Sequence, residues 1–102
     1  MLLFSRMSKE ELHREIRRLE QEEKEALRQG WESQVAILRQ KVRLARSYLI
    51  DPSTVQTNAW YEVEAMPGRF FVRYLNGVMA WGHWEGSKEE MAYPIAALKP
   101  IR

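Results

Sequence analysis

Two apolar stripes with helical spacing, separated by one glycine, leave this chain few ways to begin folding. Leu12, Ile16, Leu19 and Ala26 recur at three- and four-residue steps, with Glu23 interrupting the stripe. After Gly30 a second stripe runs through Trp31, Val35, Leu38, Val42, Ala45 and Leu49. Ser8 with Glu11 three residues on reads as a capping box, and Met7 with Leu12 as a hydrophobic staple. Gly30 has the place of the glycine that ends a helix in a left-handed conformation. Asp51-Pro52 ends the second helix, because the residue before a proline resists the α conformation. The spacing predicts helices over about 8–29 and 31–50, and so short a connection makes residues 1–50 an antiparallel helical hairpin.

One register satisfies the whole seam. It places Ala26 opposite Val35, Glu23 opposite Leu38, Leu19 opposite Val42, Ile16 opposite Ala45 and Leu12 opposite Leu49. On the flanks, Glu20 then meets Arg39, Glu22 meets Lys41 and Glu15 meets Tyr48, so opposite charges fall together as flanking positions should, and His13 falls opposite Arg46. Ile37, Leu44 and Tyr48 lie about 120° from the centre of the seam at about 100° per residue. The second helix therefore has two apolar faces, and the second face is expected to be covered by the rest of the chain or by another chain, which leaves a homodimer open.

Beyond a polar linker, residues 51–59, the pattern changes to period two. "WYEVEA" alternates, "MPGR" turns the chain, and "FFVRYL" and "VMAWGHW" read as strands joined by Asn76-Gly77, the strongest two-residue hairpin signal. "EGSK" is a further turn, "EEMAY" a fourth strand, and "PIAALKPIR" a short helical turn followed by a terminal edge strand. An Asn-Gly turn sets Leu75 opposite Val78, Tyr74 opposite Met79, Arg73 opposite Ala80, Val72 opposite Trp81, Phe71 opposite Gly82 and Phe70 opposite His83. One face then carries Phe70, Val72, Tyr74, Met79, Trp81 and His83 as the core. The other carries Phe71, Leu75 and Val78 with Arg73, Ala80 and Gly82, and Phe71 is expected to cover Gly82. Five short strands with a one-turn helix before the last have the layout of SH3-like barrels, and "YPIAALKPI" resembles their closing segment. The acidic loop and Ala-Leu-Tyr-Asp-Tyr run of peptide-binding SH3 domains are absent, so polyproline recognition is not implied. The expected fold is α+β: a hairpin over 1–50 packed on an SH3-like barrel over 60–102. Phe71, Leu75 and Val78 of the barrel are expected to receive Ile37, Leu44 and Tyr48.

The chemistry-bearing residues are few. There is no cysteine, which removes disulfides, thiolate nucleophiles and cysteine-ligated zinc together. His13 and His83 are the only histidines and have no metal-ligand spacing, no glycine-rich phosphate loop follows a strand, and no nucleophile–base set is evident. Neither an enzyme nor a cofactor is expected. The opening "MLLF" is too short for a signal-peptide core or a membrane span, so a cytoplasmic protein without membrane contact is expected. The net charge is +2, but residues 31–50 alone carry +3. Two candidate sites result. Arg14, Arg17, Arg43 and Arg46, on the outer side of the hairpin, could contact phosphates. Trp60, Trp84 and Tyr93 could form an aromatic rim that stacks on bases or encloses a cation. The first expectation is a non-enzymatic binding protein that contacts nucleic acid or the transcription machinery. The alternative is a protein–protein adaptor or self-assembling module.

"MSKEELHREI", "AILRQKVRLARSYLIDP" and "YLNGVMAWG" resemble the YfhH family, small proteins of Bacillus-type bacteria. The resemblance runs over nearly the full chain from Met7. It implies a helical hairpin joined to an SH3-like barrel, and members are sometimes described as transcriptional regulators. It implies no catalytic or binding residues.

Overall fold

The computed structural model describes residues 3–101. The chain divides into two compact units, Met1–Leu49 and Ile50–Arg102.

In the first unit, α1 spans Lys9–Gln29 and α2 spans Glu32–Ser47. The Ser8 side chain accepts from the Glu11 amide at 3.2 Å, and the Glu11 carboxylate accepts from the Ser8 amide at 3.2 Å. These reciprocal bonds satisfy two donors that a helix start otherwise leaves open. They also hold the Glu11 carboxyl below its ordinary value, the hydrogen bond from the Ser8 backbone contributing most. At the other end Gly30 adopts φ 73°, and its amide bonds back to the last turn of α1. Leu12, Ile16, Leu19, Ala26, Val35, Leu38, Val42 and Ala45 form one buried cluster, against which Phe4, Met7 and Leu49 pack. This is the membership the two stripes require. Glu23 sits within the α1 stripe, and its carboxylate turns outward to accept from Arg39 Nε at 3.1 Å.

The second unit is a five-stranded antiparallel sheet of β1 (Ala59–Val63), β2 (Phe70–Asn76), β3 (Met79–Trp84), β4 (Met91–Pro94) and β5 (Leu98–Pro100). The strand order is β4-β3-β2-β1-β5. The expected closure into a barrel is not observed: β4 and β5 are opposite edges, and the sheet is open. The edges are short, four and three residues, and each ends on a proline that has no N–H to offer a ladder. A single 3-10 turn, Ile95–Ala97, carries the chain from one edge to the other and buries Ile95 and Ala97.

The β2–β3 register differs from the expected one. Asn76 pairs with Met79, Leu75 with Ala80 and Tyr74 with Trp81. The loop is therefore Gly77-Val78 rather than Asn76-Gly77. Gly77 has φ 60°, and among the described residues neither Asn76 nor Val78 has positive φ. A type I′ turn on Asn76-Gly77 needs positive φ at both, whereas a glycine alone at the first loop position suits a II′-like turn. A bulge between Val72 and Tyr74 then shifts the ladder again, so that Val72 pairs with Gly82, Phe71 with His83 and Phe70 with Trp84. The extra residue, Arg73, reverses the in–out alternation beyond it. Phe70, Val72 and Ala80 are fully buried on one face, whereas Tyr74 is 44% exposed. Tyr74, Trp81 and His83, expected in the core, thus share the opposite face with Phe71, and Phe71 covers His83 instead of Gly82.

Gly82 has a separate reason to be glycine. A Cβ there would lie 1.7 Å from the Phe71 carbonyl oxygen, a backbone atom with no freedom to yield. Gly82→Ala is expected to destabilise the sheet by about 3 kcal/mol or more, as overpacking against backbone does. Chemical denaturation measures it, with the far-UV signal of the helices as an internal control. Glu23→Leu should act oppositely, raising stability by about 1 kcal/mol through apolar area buried beside Leu38, read as a higher midpoint in thermal unfolding.

Candidate functional site

The cations of the hairpin fall into two groups. On the flanks, Arg39 bonds Glu23 and Arg46 bonds Glu20, the latter at 2.6 Å. Both arginines reach carboxylates nearer the Gly30 turn than the register places opposite them, Glu20 for Arg39 and His13 for Arg46. Side chains on a helix lean toward its N-terminus, which in α2 is the turn end, and long arginines extend that lean. Glu22, expected opposite Lys41, is held by Arg18 of its own helix, which also bonds Glu15. That bond to Arg18 is the main reason the Glu15 carboxyl lies below its ordinary value, with Lys41 contributing.

The second group lies on the side of α1 away from the seam. Arg14, Arg17, Gln21, Lys24 and Arg28 follow one another at three- and four-residue steps, which puts them in one line about 21 Å long. All are exposed. Arg28 bonds Glu25, and Arg14 lies near enough to Glu11 to favour its charged form. Arg17 and Lys24 form no ion pair among the described residues. Of the four arginines singled out in the sequence, Arg14 and Arg17 are brought together on this line. Arg46 is engaged by Glu20, and Arg43 is half-buried on α2.

The three rim aromatics are divided between the two faces of the sheet. Trp84 and Tyr93 both pack edge-on against the buried Phe70, at 5.3 and 5.1 Å between ring centroids. The Trp84 indole donates to the Tyr93 hydroxyl at 3.1 Å, which satisfies both polar tips beside the core. Trp60 stands on the opposite face, where it meets Phe71 at 5.0 Å and His83 at 6.1 Å. Farther along that face Tyr74 and Trp81 stack with planes 1° apart and centroids at 6.2 Å. The Tyr74 hydroxyl donates to Glu90 at 3.1 Å. Its pKa is raised, first by desolvation and then by that carboxylate. Tyr74, Trp81 and His83 were not recognisable as sharing the face of Phe71, because only the bulge at Arg73 sets them there and no residue type announces a bulge.

Of the residues expected to join hairpin and sheet, Ile37 is 48% and Tyr48 37% exposed, Leu44, Phe71 and Leu75 are half-buried, and Val78 is buried in the Gly77-Val78 loop. Among the described residues there is no cluster of three or more acidic, histidine or cysteine side chains that could hold a metal. No helix there is long and apolar enough to cross a membrane.

Residues 2–99 match the family model described as "Protein of unknown function (DUF1811)". The chain belongs to that family. It is 35% identical over 97 residues to the uncharacterized protein YfhH of Bacillus subtilis (strain 168), an alignment that covers 94% of this chain and 93% of that protein. The family resemblance read from the sequence is thereby established, and neither the family description nor the relative's name states a function.

If the flank pairs set the register of the hairpin rather than its stability, Glu20 and Arg46 should couple by only about 0.5 kcal/mol. A double-mutant cycle with Glu20→Gln and Arg46→Gln, followed by thermal unfolding at low and high salt, measures that coupling, and salt should diminish it.

Proposed function

We propose that this protein is a non-enzymatic nucleic-acid-binding module of the cytoplasm that acts in gene regulation, with the outer line of α1 as its phosphate contact. The observation that carries the reading is that Arg17 and Lys24, flanked by Arg14 and Arg28, stand exposed on one helix face while Arg39 and Arg46 are held by acidic partners. Cations with no structural task, aligned along a rigid rod, suit a polyanion whose charges are also in line. The first unit carries a net charge of +3, all of it from residues 31–50, and the second −1, so the α1 line acts through the local alignment of its cations within a unit that is positive as a whole. The meander order of the sheet, with a 3-10 turn before the last strand, is also that of SH3-like modules, and we read the unit as an opened relative of that barrel.

A second reading, a protein–protein adaptor, is favoured by one observation: Ile37 and Tyr48 leave an exposed apolar face on α2. On that reading association survives high salt, whereas phosphate contact does not.

The test is fluorescence anisotropy with a labelled duplex over a range of salt. With three phosphates neutralised, log K should fall against log salt with a slope of about −2.7. Arg14→Glu with Arg17→Glu should remove most binding and flatten the slope by about two contacts. A folded protein that binds neither duplex nor single strand at low salt overturns the proposal.

A further inference from the structure

The proposed phosphate line does not account for the aromatic face of the sheet. Trp60, Phe71 and His83 form one row of rings across β1, β2 and β3, because Trp60 pairs with Phe71 and Phe71 with His83. Tyr74 and Trp81 form a second row on the same face, since Trp81 precedes His83 by two residues on a strand without a bulge. Trp60 is 40% and Tyr74 44% exposed, so each row ends on an open ring.

We infer that this face binds unpaired nucleobases, with Trp60 and the Tyr74–Trp81 pair as two successive stacking positions. The inference rests on the nucleic-acid reading above and makes it specific to single strands. Two residues along β3 separate the rows by about 6.8 Å, and Trp60 stands one strand, about 4.8 Å, away from Tyr74, which places the two positions about 8 Å or more apart. That is more than twice the ~3.4 Å rise per base of a duplex strand, so the positions match bases spread apart rather than stacked on one another. Duplex bases have both faces covered by their neighbours, whereas splayed bases offer a π-face to any aromatic platform. The rings are held before any ligand arrives. Trp60 is wedged edge-on against Phe71 at an interplanar angle of 63°, and Tyr74 is fixed by Trp81 on its face and by Glu90 at its hydroxyl. Arg73, the exposed bulge residue, lies close enough to Tyr74 for its charge to oppose the rise in the phenol's pKa. A cation therefore stands beside the second row, where a backbone phosphate would pass.

The experiment compares two single strands with the full-length protein: an oligothymidylate about twelve nucleotides long, within the span such sites cover, and a strand of equal length made wholly of abasic sites. Both carry the phosphates, and only one carries bases. The oligothymidylate should bind about tenfold or more tightly and quench tryptophan emission. In the Trp60→Leu, Tyr74→Ser protein that advantage should collapse while affinity for the abasic strand stays as it was. Should the double variant fail to fold, Tyr74→Ser alone, at an exposed position, should still lose about fivefold or more of the preference, the lower end of the range for one stacked base. Equal affinity of the native protein for the two strands, or a preference that survives in the variants, overturns the stacking site and leaves the phosphate reading standing. Binding of neither strand removes both.

Discussion

The close approach of the Phe71 carbonyl to the Cα of Gly82 determines how the sheet is assembled. With only a hydrogen where any other residue carries Cβ, β2 and β3 come together at a separation no side chain permits. The bulge between Val72 and Tyr74 lies immediately beside this contact, and the two features belong together. A bulge bends and twists its strand, and a glycine opposite is what lets the bent strand close on its neighbour. Every assignment of face in the second unit follows from this point. On the near side of the bulge Phe70 and Val72 are fully buried; beyond it Leu75 takes over the inward position opposite the buried Ala80, and Tyr74 turns out.

The same residue explains why the two halves of the chain differed in legibility. For the helices, periodicity decides which residues face the seam, and two stripes of four buried apolar positions each tolerate no alternative phase. Small errors there change only which flank carboxylate an arginine reaches, as with Arg39 and Glu23 in place of Glu20. In the sheet the period is two, so one inserted residue exchanges the faces outright. Both faces of the β2–β3 ribbon are apolar enough to serve as core, so the hydrophobic pattern offered no correction. The pair Asn76-Gly77 fits a type I′ loop as well as Gly77 fits the first position of the loop one residue later, and composition does not distinguish the two. The strands were therefore legible and their register was not. Of the basic line on α1, Arg14 and Arg17 were legible in the sequence, and of the aromatic rows only Trp60 was.

Charge is distributed with similar economy. The acidic residues of α1 lie where cations of either helix can reach them: Glu20 and Glu23 toward Arg46 and Arg39, Glu15 and Glu22 about Arg18. Each such exposed pair contributes little energy. Collectively they withdraw those cations from solution chemistry and discourage other pairings of the helices. Arg17 and Lys24, which form no ion pair among the described residues, stand on the outer line of α1, where the hairpin does not need them in order to fold.

The two proposed contacts are complementary in what each lacks. Phosphate contact along a helix is long-ranged and fast, but it is indifferent to sequence and is lost to salt. Stacking is short-ranged and largely insensitive to salt, and it distinguishes exposed bases from paired ones. Rings already fixed by neighbours surrender little side-chain freedom on binding. Tyr74, held between Trp81 and Glu90, and Trp60, wedged on Phe71, are in that condition. On the proposed reading, the exposure of large aromatics, otherwise a solubility cost on so small a protein, has a physical reason.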